Sequence, residues 1–231
     1  MRINKFLSES GVCSRREADR YIEAGRVKIN GITATLGSQV SDTDSVMLDN
    51  KLLEVVDEKV YIAFNKPLGV ECTASTDVKD NIIDYIGYPK RIFPVGRLDK
   101  NSEGLILLTN DGELSNGILK ARHFHEKAYS VQVDQRITDA FIHSMSSGVE
   151  ILDTVTRPCE VRATGPTGFE IVLTQGLNRQ IRRMCEALGY QVVKLKRFRV
   201  LNIELGDLQK GKWRHLTESE LSTLMKSVKG S

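Results

Sequence analysis

A charged stretch without hydrophobic periodicity, Glu54-Val55-Val56-Asp57-Glu58-Lys59, divides the 231-residue chain into a short part and a long part. No apolar stripe of period 2 or 3.6 crosses it. The chain is therefore expected to fold as two units, residues 1–57 and residues 58–231, joined by a linker. Hydrophobic residues make up 40% and charged residues 27%, a composition that fills a core and excludes collagenous or wholly disordered chains. No run of about 18 apolar residues is present, so no transmembrane helix and no membrane partner are expected. Met1 to Phe6 is followed at once by polar residues rather than the apolar core of a signal peptide, and the expected address is the cytoplasm. Cys13, Cys72, Cys159 and Cys185 lie far apart with no CxxC spacing, which argues against a disulfide framework or a zinc finger.

The short part reads as two helices followed by short strands. Ile3, Phe6 and Leu7 share one helical face, and Gly11 closes that helix. Ser14-Arg15-Arg16-Glu17 is a capping box opening a second helix. Its stripe Ala18, Tyr21 and Ile22 ends before Gly25, with Arg15, Arg16 and Arg20 on or near the other side. Val27-Lys28-Ile29 alternates into an Asn30-Gly31 turn, and Thr33 to Leu53 supplies further short strands. The long part mixes both periods. Strands are expected at Val60–Phe64 (stopped by Asn65-Lys66-Pro67-Leu68-Gly69), Gly104–Thr109, Ala128–Val133 and Phe169–Thr174, with strand-like pieces over 192–205. Helices are expected at Glu113–Arg122, Thr138–Met145 and Asn178–Leu188, and after a second capping box, Thr217-Glu218-Ser219-Glu220. The pattern is α+β, without regular βαβ alternation.

Net charge is only +3, but its distribution is uneven. Met1 to Gly31 holds 7 basic and 4 acidic residues, and Gly176 to Arg214 holds 10 basic and 3 acidic. Two separated basic regions point to a polyanionic partner, most simply a nucleic acid. Gly206-Asp207-Leu208-Gln209-Lys210-Gly211-Lys212 starts like a phosphate-binding loop, but Trp213 stands where the hydroxyl for magnesium belongs. His123 and His125 lack the further ligands of a metal site and read as exposed loop histidines.

The run Pro94 to Gly112 carries the most chemistry. Asp99 lies in a polar, glycine-bounded loop just before the apolar strand, two residues from Arg97 and next to Lys100. Cations that close hold a carboxylate ionised, as a nucleophile requires. Gly96-Arg97-Leu98-Asp99, followed by Ser102, Gly104 and Leu108-Thr109-Asn110-Asp111-Gly112, resembles the catalytic motif of the pseudouridine synthases that act on ribosomal RNA. Asn65-Lys66-Pro67-Leu68-Gly69, Glu126-Lys127-Ala128-Tyr129 and Gly176 to Met184 are similar to three further motifs of that family, in family order. Residues 1–57 are similar to its S4 RNA-binding domain. The layout resembles the small-subunit synthase A group, and Met1 to Lys5, Cys13 to Ile22 and Gly176 to Glu186 are most similar to its large-subunit members. Those members often continue into a charged C-terminal tail, whereas this sequence stops at Ser231.

The resemblance implies a small α/β S4 domain and an α+β catalytic domain on a bent, mostly antiparallel mixed sheet with flanking helices. It implies an isomerase that detaches uracil from C1′ of a uridine, rotates it and rejoins it through C5. That reaction involves no redox change and so calls for no cofactor and no metal. Asp99 is then the nucleophile, although the motif does not distinguish attack on C1′ from removal of a sugar proton. Arg182 pairs with Asp99, and Tyr129 stacks on the detached base. Lys66 and Pro67 back the tyrosine, Lys66 counting also among the substrate-side residues, and Arg97 fills the space of the flipped nucleotide. Arg179, Lys194, Lys196, Arg197 and Arg199 are candidate RNA contacts, and Arg15, Arg16 and Arg20 are candidate phosphate contacts on the S4 side. The implied partner is a structured RNA, a large-subunit rRNA stem-loop first and another rRNA or a tRNA second, met by a monomer. A non-catalytic ribosome-assembly factor is the rival from another class; it predicts loss of Asp99, Tyr129 or Arg182, and all three are present.

Overall fold

A computed structural model of the chain describes residues 1–54, 58–75, 77–120 and 124–229, residue 229 in its backbone only. Val55 to Asp57 of the expected linker, with the boundary drawn at residue 57, fall outside the described residues, as does His123. The chain divides into two compact units, Met1–Val60 with Pro89–Arg91, and Tyr61–Tyr88 with Ile92–Ser231.

The first unit holds α1 (Ile3–Glu9), α2 (Arg15–Glu23), β1 (Val27–Ile29), β2 (Ile32–Thr33), β3 (Val46–Leu48) and β4 (Lys51–Leu52). Both halves of the Ser14/Glu17 capping box form, satisfying two helix-end donors of α2. Asn30 and Gly31 both take positive φ, 50° and 81°, which suits the twist of a two-residue hairpin. The antiparallel sheet runs β2-β1-β3-β4. Ile3, Phe6, Leu7, Ala18, Ile22, Val27 and Val46 fill the core, so the apolar stripes of both helices lie on one side. Arg15, Arg16 and Arg20 are exposed on α2.

The second unit comprises β5 (Tyr61–Lys66), α3 (Ile82–Ile86), β6 (Phe93–Pro94), β7 (Glu103–Thr109), α4 (Gly112–Leu119), β8 (Lys127–Val133), α5 (Asp139–Ser147), β9 (Glu150–Ile151), β10 (Thr154–Val155), β11 (Glu160–Gly165), β12 (Gly168–Leu173), α6 (Gln180–Ala187), β13 (Val192–Val200), β14 (Ile203–Glu204), β15 (Trp213–His215) and α7 (Glu218–Lys229). One sheet runs β11-β12-β8-β13-β7-β5-β15, with β14 beside β13 and β6 beside β7. Every pairing in it is antiparallel except β7 with β13. Ala63, Leu105 and Leu107 from the sheet pack with Leu114 and Ile118 of α4 and Leu224 of α7. Asp111 caps α4 through the amides of Glu113 and Leu114, and accepts the Tyr61 hydroxyl proton at 2.9 Å. The Thr217/Glu220 capping box forms as expected.

Four boundaries differ from the sequence reading. β5 continues through Asn65 and Lys66, because Leu105 and Gly104 of β7 pair with them. The helix expected to reach Arg122 ends at Leu119, where Lys120 turns extended; residues 121–122 are outside the described set. α6 starts at Gln180 because Arg179 is left-handed, φ 51°. The pieces over 192–205 include one nine-residue strand, β13. Among the described residues no helix is long and apolar enough to cross a membrane.

β7 and β13 meet at only two rungs, Glu103 with Lys196 and Gly104 with Arg197. Gly104 has φ 106°, and a Cβ there would lie 2.2 Å from the Arg197 carbonyl oxygen. Gly104→Ala combines a forbidden conformation with a backbone clash. It is expected to cost about 3 kcal/mol or more, read as a lower urea midpoint at unchanged slope.

Candidate active site

The loop between β6 and β7 carries Asp99 and is tied down at several points. Val95 N–H donates to Leu107 O at 2.8 Å, and Ser102 N–H donates to Asp99 O at 3.0 Å. Leu98 N–H donates to the buried Cys72 Sγ at 3.4 Å, and Lys100 O accepts the Gly69 amide at 2.9 Å. The segment 66–72 thus holds both neighbours of Asp99, and the carboxylate is positioned by backbone rather than by its own side-chain bonds. Asp99 Oδ2 lies 3.6 Å from Arg179 Nη1 and 3.9 Å from Arg182 Nε.

Arg182 is the better fixed of the two. Nη2 donates to Asn101 O at 2.6 Å and approaches Ser102 Oγ at 3.4 Å, while Nη1 donates to Val192 O at 3.2 Å. Burial pushes its guanidinium below the ordinary arginine value, Arg179 adds to that push, and Asp99 opposes it. Arginine has enough margin to stay protonated regardless. The expected Arg182–Asp99 pair is therefore an ionic contact, with the guanidinium also pinned to three other groups. Arg179, expected as an RNA contact, supplies the shorter approach to Asp99.

Asp99 opens onto a cavity of about 540 Å³. The basic residues on its wall are Arg97, Lys120, Lys127, Arg179 and Arg197, and Asp99 is the one carboxylate there among the described residues. Tyr129, 9% exposed, lies on the same wall. Arg97 and Lys120 are exposed. Such a site attracts an anionic polymer.

Two expected RNA contacts are corrected. Lys66 is fully buried, with Nζ donating to Pro67 O at 2.9 Å and Val70 O at 2.8 Å, so it braces its own loop and touches no substrate. Burial lowers its pKa. Arg197 is 4% exposed, donates from Nε to Leu105 O at 2.7 Å, and sits 5.9 Å from the centre of the Tyr129 ring. It forms part of the cavity floor beside the tyrosine instead of reaching an RNA backbone. Lys194 and Lys196 are exposed on β13, whereas Arg199 is engaged by Glu126 at 2.9 Å and by Leu201 O. His125 is buried, not exposed, with Nδ1 3.0 Å from Ile118 O. Among the described residues no group of His, Cys, Asp or Glu is placed to hold a metal ion.

Sequence reasoning passed over Lys127. It lies two residues before Tyr129 on β8, hence on the same strand face, and that spacing was the available signal. Its Nζ donates to His125 O at 3.1 Å. Burial, with Arg197 close by, brings its pKa down to about 8. Below pH 8 the folded chain carries a charge that its surroundings disfavour. Between 8 and the ordinary 10.5 the unfolded chain binds the extra proton, so this residue's contribution makes stability rise with pH. Lys127→Met is expected to stabilise the fold by about 1 to 3 kcal/mol at pH 7, a gain that shrinks toward pH 10 in urea melts at both pH values.

A sheet with one parallel strand pair, an aspartate held between arginines and a tyrosine on the same cationic cavity suit an enzyme that works on the bases of a polyanion. The chain matches the RNA pseudouridylate synthase family over residues 60–187 and the S4 domain over residues 1–46. It is 53% identical to the dual-specificity RNA pseudouridine synthase RluF of Salmonella typhi and 52% identical to that of Escherichia coli strain K12, covering all of this chain and 80% of each relative. A solved pseudouridylate synthase superposes with TM-score 0.72 at 30% identity, over 97% of this chain and 99% of that one. The chain belongs to the RNA pseudouridine synthase family, as an S4-bearing member, and is an isomerase that acts on RNA.

Proposed function

We propose that this enzyme isomerises a uridine in a stem-loop of 23S large-subunit rRNA, with Asp99 as the group that starts the reaction. The observation that carries the reading is the Asp99 carboxylate, ion-paired with Arg179 and Arg182 at the wall of a cavity whose other charges are basic. A uridine in a stem must leave the stack to reach it, and Arg97, exposed on the same loop, takes the vacated place. Breaking N1–C1′ sends the bonding pair onto the base. The cationic floor beneath Tyr129 stabilises that negative charge, and Tyr129 holds the ring while it turns. Forming C5–C1′ then releases the C5 proton while N1 takes one up, so no oxidant or cofactor is consumed.

The target rests on likeness to relatives named as dual-specificity enzymes. A second RNA with a similar stem-loop, a tRNA in first place, is therefore part of the proposal. Arg15, Arg16 and Arg20 grip phosphate from the S4 unit, and Lys194 and Lys196 do so from β13, with the enzyme a cytoplasmic monomer. The test is tritium release from uridine C5 in separate large-subunit, small-subunit and tRNA transcripts. The wild-type protein is expected to release one equivalent per large-subunit fragment, and Asp99→Asn to fall below about one thousandth of that rate. Equal release by Asp99→Asn removes the assignment of the nucleophile, and release from the small-subunit fragment alone removes the target.

A further inference from the structure

Phe124 directly precedes His125, a residue of the catalytic cavity's wall, and belongs to no motif described above. It is 57% exposed, with φ 53°. A bulky residue in the left-handed region costs about 1 to 2 kcal/mol and persists only where its surroundings hold it. Two attachments do so. The next residue, His125, is buried in the cavity wall. The Arg157 guanidinium carbon lies 4.3 Å from the centre of the Phe124 ring, a cation–π distance. Arg157 is in turn fixed to the opposite stretch of the wall. Its amide donates to Gln175 Oε1 and its Nη1 donates to Thr174 O at 3.4 Å, and Thr174 and Gln175 both line the cavity. The ring is thus tied through His125 and Arg157 to two stretches of the cavity wall, backed by a cation, with more than half of its residue surface in solvent.

We infer that the Phe124–Arg157 stack is a platform for an unpaired base next to the target uridine. Flipping a nucleotide into the cavity unstacks its neighbour, which then exposes a π face of its own. A fixed aromatic ring backed by arginine replaces the lost stacking for any base, most strongly for a purine. An aliphatic protein partner gains nothing from the planar cation-backed geometry, and the basic residues of the cavity wall suit the phosphates that connect two adjacent nucleotides. The platform adds affinity and sets which nucleotide is best tolerated beside the target, and it takes no part in the bond changes.

The inference rests on the reading that a flipped uridine enters this cavity, and the experiment separates the two. Tritium release and binding are measured on the large-subunit stem-loop and on copies with an abasic nucleotide on either side of the target. The variants are Phe124→Trp and Phe124→Asn; asparagine tolerates a left-handed backbone, so it removes the ring without adding strain. Phe124→Asn is expected to lower kcat/KM about 5- to 100-fold, mainly through KM, and Phe124→Trp to stay within about two-fold of wild type. On one of the two abasic RNAs the wild-type enzyme is expected to fall to the Phe124→Asn level, with no further loss on substitution. Wild-type kcat/KM in Phe124→Asn, or an equal further loss on both abasic RNAs, overturns the platform while leaving the synthase reading intact. No release by the wild-type enzyme from any of these RNAs overturns the reading of the target, and the platform with it.

Discussion

The active site depends on one close backbone approach. Gly104 of β7 and Tyr129 of β8 are both register partners of Arg197 on β13, so three strands share a rung. The approach of β7 to β13 is possible only without a Cβ at position 104. Each functional segment is tethered close to this rung. The Asp99 loop leads directly into β7. Tyr129 is on the rung itself. α6 precedes β13, and Arg182 reaches from it to both Asn101 O and Val192 O. Residues far apart in sequence therefore converge because two strands pair in parallel over two residues and then take different neighbours. Stability and catalytic geometry are coupled at this point, since anything that parts β7 from β13 moves the aspartate away from the tyrosine.

The cations of the site do two kinds of work. Lys66, Arg197 and much of Arg182 are buried and each donates to carbonyl oxygens of the fold, Arg197 through Nε. They cannot swing onto a ligand, but they set a positive field that needs no reorganisation when charge develops on the base. Arg97 and Lys120 are exposed at the same cavity and free to meet phosphate. Lys127 falls between these groups, buried enough for its proton to be weakly held near pH 8. A tally of basic residues from 176 to 214 points to a polyanionic partner but does not separate field from contact, because the two differ in burial and not in residue type.

What was legible in the sequence was mostly what is local. The capping boxes at Ser14 and Thr217, the Asn30-Gly31 hairpin and the strand after Asp99 follow from neighbours within four residues. Asp99, Tyr129, Arg182 and Arg97 stood out because the motifs that carry them match a family. The elements missed are either very short or have non-local causes. α3 is only five residues long and is defined by the Asn81 cap, whose side chain accepts from Ile83 and Asp84. β15 is an edge strand that exists because β5 pairs with it. β13 reads as broken because Lys194, Lys196 and Arg199 interrupt its apolar pattern, and only the sheet on both sides makes it continuous. Lys66 and Arg197 carry no sign of burial in their type, since long basic side chains are ordinarily found at the surface.

The start of α6 shows how local strain and site geometry meet. Arg179 takes φ 51°, a conformation that costs a non-glycine residue about 1 kcal/mol or more. The turn before it is closed from both sides by Gln180, whose amide donates to Leu177 O at 3.2 Å and whose Oε1 accepts the Leu177 amide at 3.1 Å. Gln180 is itself 4% exposed, so the turn is held by a buried side chain. Arg179 and Arg182, three residues apart, both approach the single Asp99 carboxylate oxygen from this helix start. A right-handed residue at 179 would start the helix one residue earlier and change the direction from which its side chain leaves the backbone. The strained backbone thus separates two roles for arginines one helical turn apart: Arg182 locks the loop through carbonyl oxygens, while the more exposed Arg179 makes the shorter approach to the carboxylate.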